Sequence, residues 1–173
     1  LAHFSRDDAQ DLMQILRKII DQRFDIQEVC AQMVAHMDYH ERLEICHLSL
    51  DDAPFILELL NDPDYIRFIG DRNIRTTEEA ARYMEKRLLK SYCDFGFGLF
   101  MVKLKHTGTP IGLNGLIKRD YLEHVDIGFA FLPAFRGQGY AVESSRAVLD
   151  FGRNMLNLSR IDAIVDPENQ SCK

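Results

Sequence analysis

The residues with the clearest chemical potential form a short glycine turn, Arg136-Gly-Gln-Gly-Tyr-Ala141. An apolar run before it ends at Pro133, which cannot donate to a sheet ladder, and a segment of helical periodicity follows it. Two positions without side chains let successive backbone N–H groups approach a ligand, and the helix adds its positive N-terminal end. The strand, turn and helix therefore predict an anion site suited to a diphosphate.

The turn can be compared with known phosphate-binding motifs. A P-loop would need Lys-Ser or Lys-Thr after its second glycine, and a dinucleotide fingerprint would need a third glycine at Val142. The turn instead matches the pattern Arg/Gln-x-x-Gly-x-Gly/Ala and resembles the GNAT acetyltransferases. The wider string Gly128–Ala141 resembles the RimJ/RimL branch, which acetylates the N-termini of ribosomal proteins, and the resemblance extends over roughly residues 42–173. The alternative is a tight strand-to-helix connection without a ligand.

The resemblance implies both a fold and an activity. The fold would be α/β (α+β), with a mixed, mostly antiparallel sheet flanked by helices. The chain would be an acyltransferase that moves an acetyl group from acetyl-CoA to an amine by direct transfer in a ternary complex, with no metal. The diphosphate would bind the glycine turn, and the pantetheine arm would pair with the end of the preceding strand. The residues expected to bind acetyl-CoA are Phe131, Leu132, Pro133, Arg136, Gly137, Gln138, Gly139, Tyr140, Ala141 and Asn169.

The amine must lose a proton before it attacks, to a carboxylate, an imidazole or solvent. Asp126 is the first candidate for the catalytic base, because an acidic residue commonly occupies this strand position in the resembling branch. The alternative role for Asp126 is a hydrogen bond to a neighbouring turn. Glu123 and His124 are weaker candidates, more typical of solvated loop residues. Glu143 falls in the first turn of the helix, where the dipole favours a carboxylate, so we assign it a structural role.

Asn114 and Arg75 are the main candidates for binding the acceptor, a small molecule or a protein N-terminus, and Arg72 and Tyr65, in the same connection as Arg75, are further ones. Asn114 would face the cleft if the third strand alternates as its pattern predicts, and an interior polar contact is the alternative. Arg75, in the connection before the second helix of the domain, could contact the acceptor or could simply be a solvated charge. The side chains of Phe129 and Phe131 are expected in the core.

Composition narrows the functional classes. The net charge is -6, the pI is about 5.5 and no Lys/Arg cluster occurs, which argues against direct nucleic-acid binding. Four scattered cysteines, without a Cys-x-x-Cys pair, suit a reducing cytoplasm and offer no metal spacing. No apolar run approaches the roughly 20 residues that cross a bilayer. We expect a cytoplasmic protein that binds neither nucleic acid nor membrane.

The chain divides into an N-terminal extension, residues 1–41, and an acetyltransferase-like domain, residues 42–173. Apolar residues recur at three and four positions in two runs of the extension, which predicts two amphipathic helices. Their stripes would pack on the domain, on each other or on a second subunit, giving a homodimer. The extension could alternatively make the chain a non-catalytic CoA-binding sensor that signals to a partner. Because the chain begins at Leu1 and stops at Lys173 in mid-pattern, we expect a longer protein whose last family helix and two strands follow residue 173.

Periodicity also predicts the elements of the domain. A strand over residues 42–48 precedes a helix capped at Ser49, then a loop or broken helix over residues 61–75, and a helix that restarts at Thr76. The period then changes to two, which predicts a hairpin from residues 97–104 and 111–118. A further strand, the glycine turn, a helix ending near Asn157 and a short strand over residues 160–165 complete the order.

Overall fold

The segments of period two form one five-stranded sheet in the computed structural model, which describes residues 42–169. The strands are β1 (Leu43–Cys46), β2 (Leu99–Leu104), β3 (Pro110–Ile117), β4 (Asp126–Phe131) and β5 (Asp162–Ala163). They lie side by side in chain order; the first four are antiparallel, and β5 runs parallel to β4. The prediction of a mixed, mostly antiparallel sheet is confirmed. The two helices predicted within residues 1–41 lie outside the described residues.

Helices flank the sheet as the 3.6-residue patterns predict. They are α1 (Ala53–Leu60, after a 3-10 turn at Leu50–Asp52), α2 (Pro63–Phe68), α3 (Thr77–Tyr83), a π-helical stretch (Met84–Leu89), α4 (Lys90–Phe95) and α5 (Tyr140–Asn154). The predicted loop or broken helix over residues 61–75 contains α2. The helix predicted from Thr76 onward runs through α3, the π-helical stretch and α4 without interruption.

Side-chain caps fix where two of these helices begin. Thr76 Oγ1 accepts from the Glu79 N–H at 3.2 Å, and the Glu79 carboxylate accepts from the Thr76 N–H at 3.2 Å, so each satisfies a donor that the helix leaves open. Asp62 caps α2 in the same way by accepting from the Tyr65 N–H at 3.0 Å, and Pro63 supplies the fixed φ of the first helical position. The start of α2 is therefore well defined.

Both faces of the sheet are covered, and the two layers set the position of the glycine turn. On one face, Ile56 and Leu59 of α1 and Met84 pack with Met101 and Leu113 of the sheet. On the other face, α5 contributes Ala147, Val148 and Phe151, which pack against Phe100 and Leu116. Because burial of these side chains fixes α5 against the strands, the turn that joins β4 to α5 is held between two rigid elements.

The outer edge of β4 is only partly covered. Strand β5 pairs with Asp126 and Ile127, and the described residues provide no neighbour for β4 beyond that point. On its other side, β4 pairs with β3 in regular register from Ile117 opposite Asp126 to Gly112 opposite Phe131. The second half of β4 therefore presents an unpaired backbone edge that leads directly to the glycine turn.

Candidate functional site

The glycine turn has the backbone geometry that its sequence predicts. Gly137 has φ 72° and Gly139 has φ 82°, both left-handed values that side chains rarely adopt. Gly137, Gln138 and Gly139 are exposed, and a Cβ added at Gly137 would meet nothing within 4 Å. The turn is thus open to solvent rather than packed beneath side chains, and a ligand can reach its backbone.

Six successive N–H groups are available at this turn. Those of residues 137–142 make no hydrogen bond with a described residue: the Arg136 N–H donates to Pro133 O before them, and the Glu143 N–H donates to Gly139 O after them. The last three belong to the first turn of α5, where N–H groups have no partner within the helix. Together with the helix dipole, these donors form a nest suited to an anion.

The open edge of β4 adds a second set of backbone groups. The Leu132 N–H donates to Ile111 O at 2.9 Å. Because backbone groups alternate along an antiparallel strand, the N–H and C=O groups of even-numbered residues in β4 bond β3, and those of odd-numbered residues point to the side of β5. Asp162 N donating to Val125 O at 2.9 Å agrees with this assignment. Because Pro133 has no N–H, the last outward-facing donor before the turn belongs to Phe131.

Arg136 joins the turn to its surroundings. Its Nε donates to Phe131 O at 2.8 Å, and its two terminal nitrogens form ion pairs with Asp62 and Asp64. The side chain of Asp62 is 5% exposed, whereas that of Asp64 is 55% exposed. Of the two roles open to Arg136, support of the turn or contact with a phosphate, these contacts correspond to support.

A second arginine lies on the other side of the turn. Arg42 pairs with Glu143 in the first turn of α5, with Nη2 2.6 Å from Oε2, and its Nη1 donates to Gln138 O at 3.1 Å. Glu143 therefore has the structural role predicted for it. No local pattern of the sequence points to Arg42, Asp62 or Asp64, because their partners are 72 to 101 positions away in the chain.

Asp126 is the first residue of β4 and is only 1% exposed. Its Oδ1 accepts from Arg119 Nε at 2.8 Å, and no described residue hydrogen-bonds Oδ2. This contact raises the pKa of Arg119, so the guanidinium stays charged beside the carboxylate. Strand alternation places Asp126 on the same face as Ala130, toward α1 and α3. A role as catalytic base stays a prediction.

The two residues predicted to bind the acceptor have different surroundings. Asn114 is fully buried, and its Nδ2 donates to Ser144 Oγ at 2.7 Å and to Ser145 Oγ at 2.9 Å. Of the two orientations left open for Asn114, these contacts correspond to the interior polar contact: the amide faces α5, because the alternation of β3 directs it there. Arg75 lies in the connection before α3 and pairs with Asp71 at 2.5 Å, a contact that raises the pKa of the guanidinium.

The remaining predicted residues lie as follows. The side chain of Phe131 is buried in the core as expected, but that of Phe129 is 37% exposed, so its predicted core position is wrong. No described strand lies beside β4 at Phe129, which leaves this ring accessible.

Asn169 is the last described residue, and its N–H donates to Asp166 O at 3.0 Å. Glu123, whose side chain is 89% exposed, lies 3.9 Å from His124.

Tyr65 and Arg72 add polar groups near the face that holds Asp126. Tyr65 packs against the cluster formed by α1, α3 and the sheet, and burial raises the pKa of its phenol. Arg72, which is exposed, partly offsets this rise in the pKa. Within residues 42–169, no group of three or more His, Cys, Asp and Glu side chains could hold a metal ion. No helix of this region is both long and apolar enough to cross a membrane.

Comparison with known proteins agrees with this geometry. The family model described as an acetyltransferase (GNAT) domain matches residues 42–173. YkkB of Bacillus subtilis (strain 168) is 31% identical over 129 residues, which cover 73% of each chain. The N-acetyltransferase p20 of Bacillus licheniformis is 29% identical over 132 residues, covering 76% of this chain and 74% of p20. The crystal structure of an acetyltransferase from Agrobacterium tumefaciens str. C58 superposes with a TM-score of 0.66 at 25% identity, over 77% of this chain and 75% of that one.

The chain belongs to the GNAT acetyltransferase family. The flanked, mostly antiparallel sheet is the fold of these neighbours, so the predicted fold class is confirmed. The prediction of a GNAT-type N-acetyltransferase is confirmed as well. Members of this family use acetyl-CoA as co-substrate and act on amines, and the turn and the edge of β4 are where the described residues could receive that co-substrate.

Proposed function

We propose that this protein acetylates an amine directly from acetyl-CoA, within a complex that holds donor and acceptor together. The observation that carries the proposal is the continuity of two backbone surfaces: six free N–H groups at residues 137–142 and the unpaired edge of β4 that precedes them. A diphosphate matches the first surface and an amide-containing pantetheine arm matches the second.

The donor's thioester would lie along the outer half of β4. An extended pantetheine arm can pair with the outward N–H and C=O groups as an added strand would. Because Arg136 Nε already occupies Phe131 O, the free group at this point is the Phe131 N–H. We assign this N–H to the thioester carbonyl oxygen, which gains negative charge as the amine attacks; one such donor contributes about 3 kcal/mol to transition-state stabilisation.

The reaction then needs an amine without its proton. The amine nitrogen attacks the thioester carbon, the C–S bond breaks, and the thiolate of CoA leaves and takes up a proton. We propose that Asp126 accepts the proton of the amine through ordered water, with Oδ2, since Arg119 occupies Oδ1 and the Phe131 N–H lies at the opposite end of β4, about 16 Å away at about 3.3 Å per residue. The hydrogen bond from Arg119 fixes the orientation of the carboxylate. Arg119 is thus a positioning residue for Asp126.

The acceptor is a protein α-amine or a small-molecule amine. Resemblance of Gly128–Ala141 to the RimJ/RimL branch supports an acceptor of the first kind. The charges near Asp126 support an acceptor that is not a polycation, because Arg119 neutralises the carboxylate and Arg72 is an exposed positive charge. We retain Arg75 as a secondary contact with the acceptor, since its guanidinium already donates to Asp71 and Asn61. Asn114 has no exposed atom with which to bind it.

The arrangement of the whole chain is also a proposal. We infer that residues 42–173 form the catalytic domain and that residues 1–41 form an extension through which two copies could associate. Cys46 and Cys93 carry free thiols, which supports a reducing cytoplasm as the working compartment. Asn169 would contact the CoA arm, as the family resemblance implies.

The proposal is tested by following release of the CoA thiol from acetyl-CoA with the full chain. Acceptors should include peptides that begin with Ala or Ser, and panels of amino acids, polyamines and aminoglycosides. Calorimetry with CoA provides a separate measure of donor binding. We expect CoA binding together with turnover of at least one amine. Binding without turnover of any amine would favour the non-catalytic sensor, and absence of CoA binding would refute the proposed site altogether.

A further inference from the structure

Arg42 contacts the glycine turn and the start of α5 through an ion pair, a hydrogen bond and an aromatic ring. Its Nε donates to Glu143 Oε2 at 2.8 Å, its Nη1 donates to Gln138 O at 3.1 Å, and its guanidinium carbon lies 4.7 Å from the centre of the Tyr140 ring. The three contacted residues span the second half of the turn and the first turn of α5. One side chain therefore holds the segment that would surround the diphosphate.

The backbone of Arg42 is fixed as well. Its N–H donates to Glu143 Oε1 at 3.3 Å, and its C=O accepts from the Lys105 N–H at 2.9 Å. The carboxylate of Glu143 thus binds residue 42 through both its main chain and its side chain. Since Leu43 begins β1 and is fully buried, the guanidinium reaches the turn from an anchored position at the edge of the sheet.

The contact with Gln138 O determines which way one peptide group of the turn faces. In a trans peptide, the C=O of Gln138 and the N–H of Gly139 point in opposite directions. Because Arg42 draws the carbonyl oxygen toward itself, the Gly139 N–H points away from Arg42, to the side that is open to a ligand. Without this contact, the peptide could rotate and present its carbonyl oxygen to the anion, which would repel it.

The contact with Glu143 removes a second source of repulsion. A carboxylate in the first turn of a helix is favourable for the helix dipole, but here it lies beside the N–H groups that would receive a diphosphate. An unpaired Glu143 would oppose the negative charge of the ligand. Arg42 neutralises the carboxylate, whose side chain is 17% exposed, so that the field at the turn stays positive.

We propose that Arg42 is a positioning residue that sets the affinity of the glycine turn for the diphosphate of CoA, by orienting the Gln138–Gly139 peptide and by neutralising Glu143. The inference rests on the proposed function, because it assumes that CoA binds at this turn. It assigns Arg42 no contact with the thioester or the acceptor. Its effect should therefore appear in binding of the donor and not in the chemical step.

The test uses the full chain and titration calorimetry with CoA. We expect Arg42→Gln to weaken CoA binding about tenfold, because it leaves a carboxylate without its cation beside the anion site. The combined variant Arg42→Gln/Glu143→Gln should regain about half of that loss on a logarithmic scale, since only the peptide-orienting contact is then missing. Raising the salt concentration should reduce the defect of Arg42→Gln, because salt screens the unpaired charge of Glu143.

Kinetics and a second variant separate this role from simple loss of structure. With acetyl-CoA, Arg42→Gln should raise KM about tenfold and leave kcat within about twofold, the result of losing binding energy that the ground state and the transition state share equally. Arg42→Lys, which retains the charge near Glu143, should bind CoA more tightly than Arg42→Gln. If Arg42→Gln folds and binds CoA as the unmutated protein does, or if the double variant binds no better than Arg42→Gln, the inference is refuted. Lack of CoA binding by the unmutated protein would instead refute the proposed function, and this inference with it.

Discussion

Arg136 of the glycine turn forms an ion pair with Asp62, the residue that caps α2, across 74 positions of the chain. The same guanidinium donates to Phe131 O at the end of β4. A single side chain therefore ties the turn to both the strand before it and the helix layer across the sheet. Because the Asp62 side chain is almost entirely buried, Arg136 takes the place of water as its partner.

Loss of Arg136 should destabilise the fold as well as the turn. We expect Arg136→Gln to lower the free energy of unfolding by about 3 kcal/mol, because the buried carboxylate of Asp62 is left without its cation. Urea denaturation would measure the change. Asp62→Asn in the Arg136→Gln background should recover part of the loss, whereas Asp64→Asn, at the exposed partner of the same guanidinium, should change stability by less than about 0.5 kcal/mol. Additive losses at positions 62 and 136 would contradict the pairing.

The left-handed backbone of the turn predicts a specific defect in CoA binding. Gly139→Ala should raise the dissociation constant for CoA about fivefold, because alanine at φ 82° costs about 1 kcal/mol relative to glycine. Calorimetry would measure it. The matched control is Gly108→Ala in the β2–β3 hairpin turn, where φ is 68° and an added Cβ meets nothing within 4 Å, whereas at Gly139 it would lie at the ordinary contact distance of 3.5 Å from Arg42 Nη2. Gly108→Ala should lose similar stability and keep the CoA affinity. Equal losses of CoA affinity in both variants would show that backbone strain alone explains the weaker binding of Gly139→Ala.

Removal of the proposed base should separate chemistry from donor binding. We expect Asp126→Asn to lower turnover at least about a hundredfold, as loss of general-base catalysis typically does, and to leave CoA affinity within about twofold. Thiol release and calorimetry would measure the two quantities. Asp94→Asn is the matched control, because Asp94 is also paired with a cation, Lys90 at 2.6 Å, but lies on α4. Normal turnover in a folded Asp126→Asn variant would exclude Asp126 as the base.

Asn114 should contribute to stability through its contacts with α5. We expect Asn114→Leu to lower the free energy of unfolding by about 2 kcal/mol, because Ser144 and Ser145 lose a buried donor that leucine cannot replace. Chemical denaturation would measure the change. Ser145→Ala should cost less than about 1 kcal/mol, since Asn114 keeps its contact with Ser144. An Asn114→Leu variant as stable as the unmutated protein would mean that the polar contact contributes nothing.

Stability should fall in mild acid because of His47. Its ring packs edge-on against Tyr92 and Phe100, its Nε2 is buried without a partner among the described residues, and burial lowers its pKa from 6.5. The unfolded chain therefore binds a proton at a higher pH than the folded protein does. This contribution to stability is present above pH 6.5 and is lost as the pH falls from there toward the lowered pKa. Thermal denaturation from pH 7.5 to 5 would measure it. His47→Phe should flatten that part of the profile, and an unchanged slope would contradict the assignment.

Local patterns determined much of the architecture. Period-two segments became β2, β3 and β4, and Thr76 with Glu79 marked a helix start, because side-chain alternation and capping are properties of short stretches of chain. The glycine turn could also be predicted, since glycine adopts the left-handed backbone of Gly137 and Gly139 without steric cost. The open edge of β4 and the burial of Asn114 were not, because each depends on which elements lie alongside.

The sequence by itself determined that a glycine turn follows a strand and precedes a helix, and hence that an anion could bind there. Only the tertiary structure decided what holds the turn: Arg42 approaches from the start of β1 and Asp62 from the start of α2, both remote in the chain. It also decided that Asp126 is buried against Arg119 and that Phe129 is exposed. The physical reason is that ion pairs and burial depend on proximity in space, which a local pattern of residues does not encode.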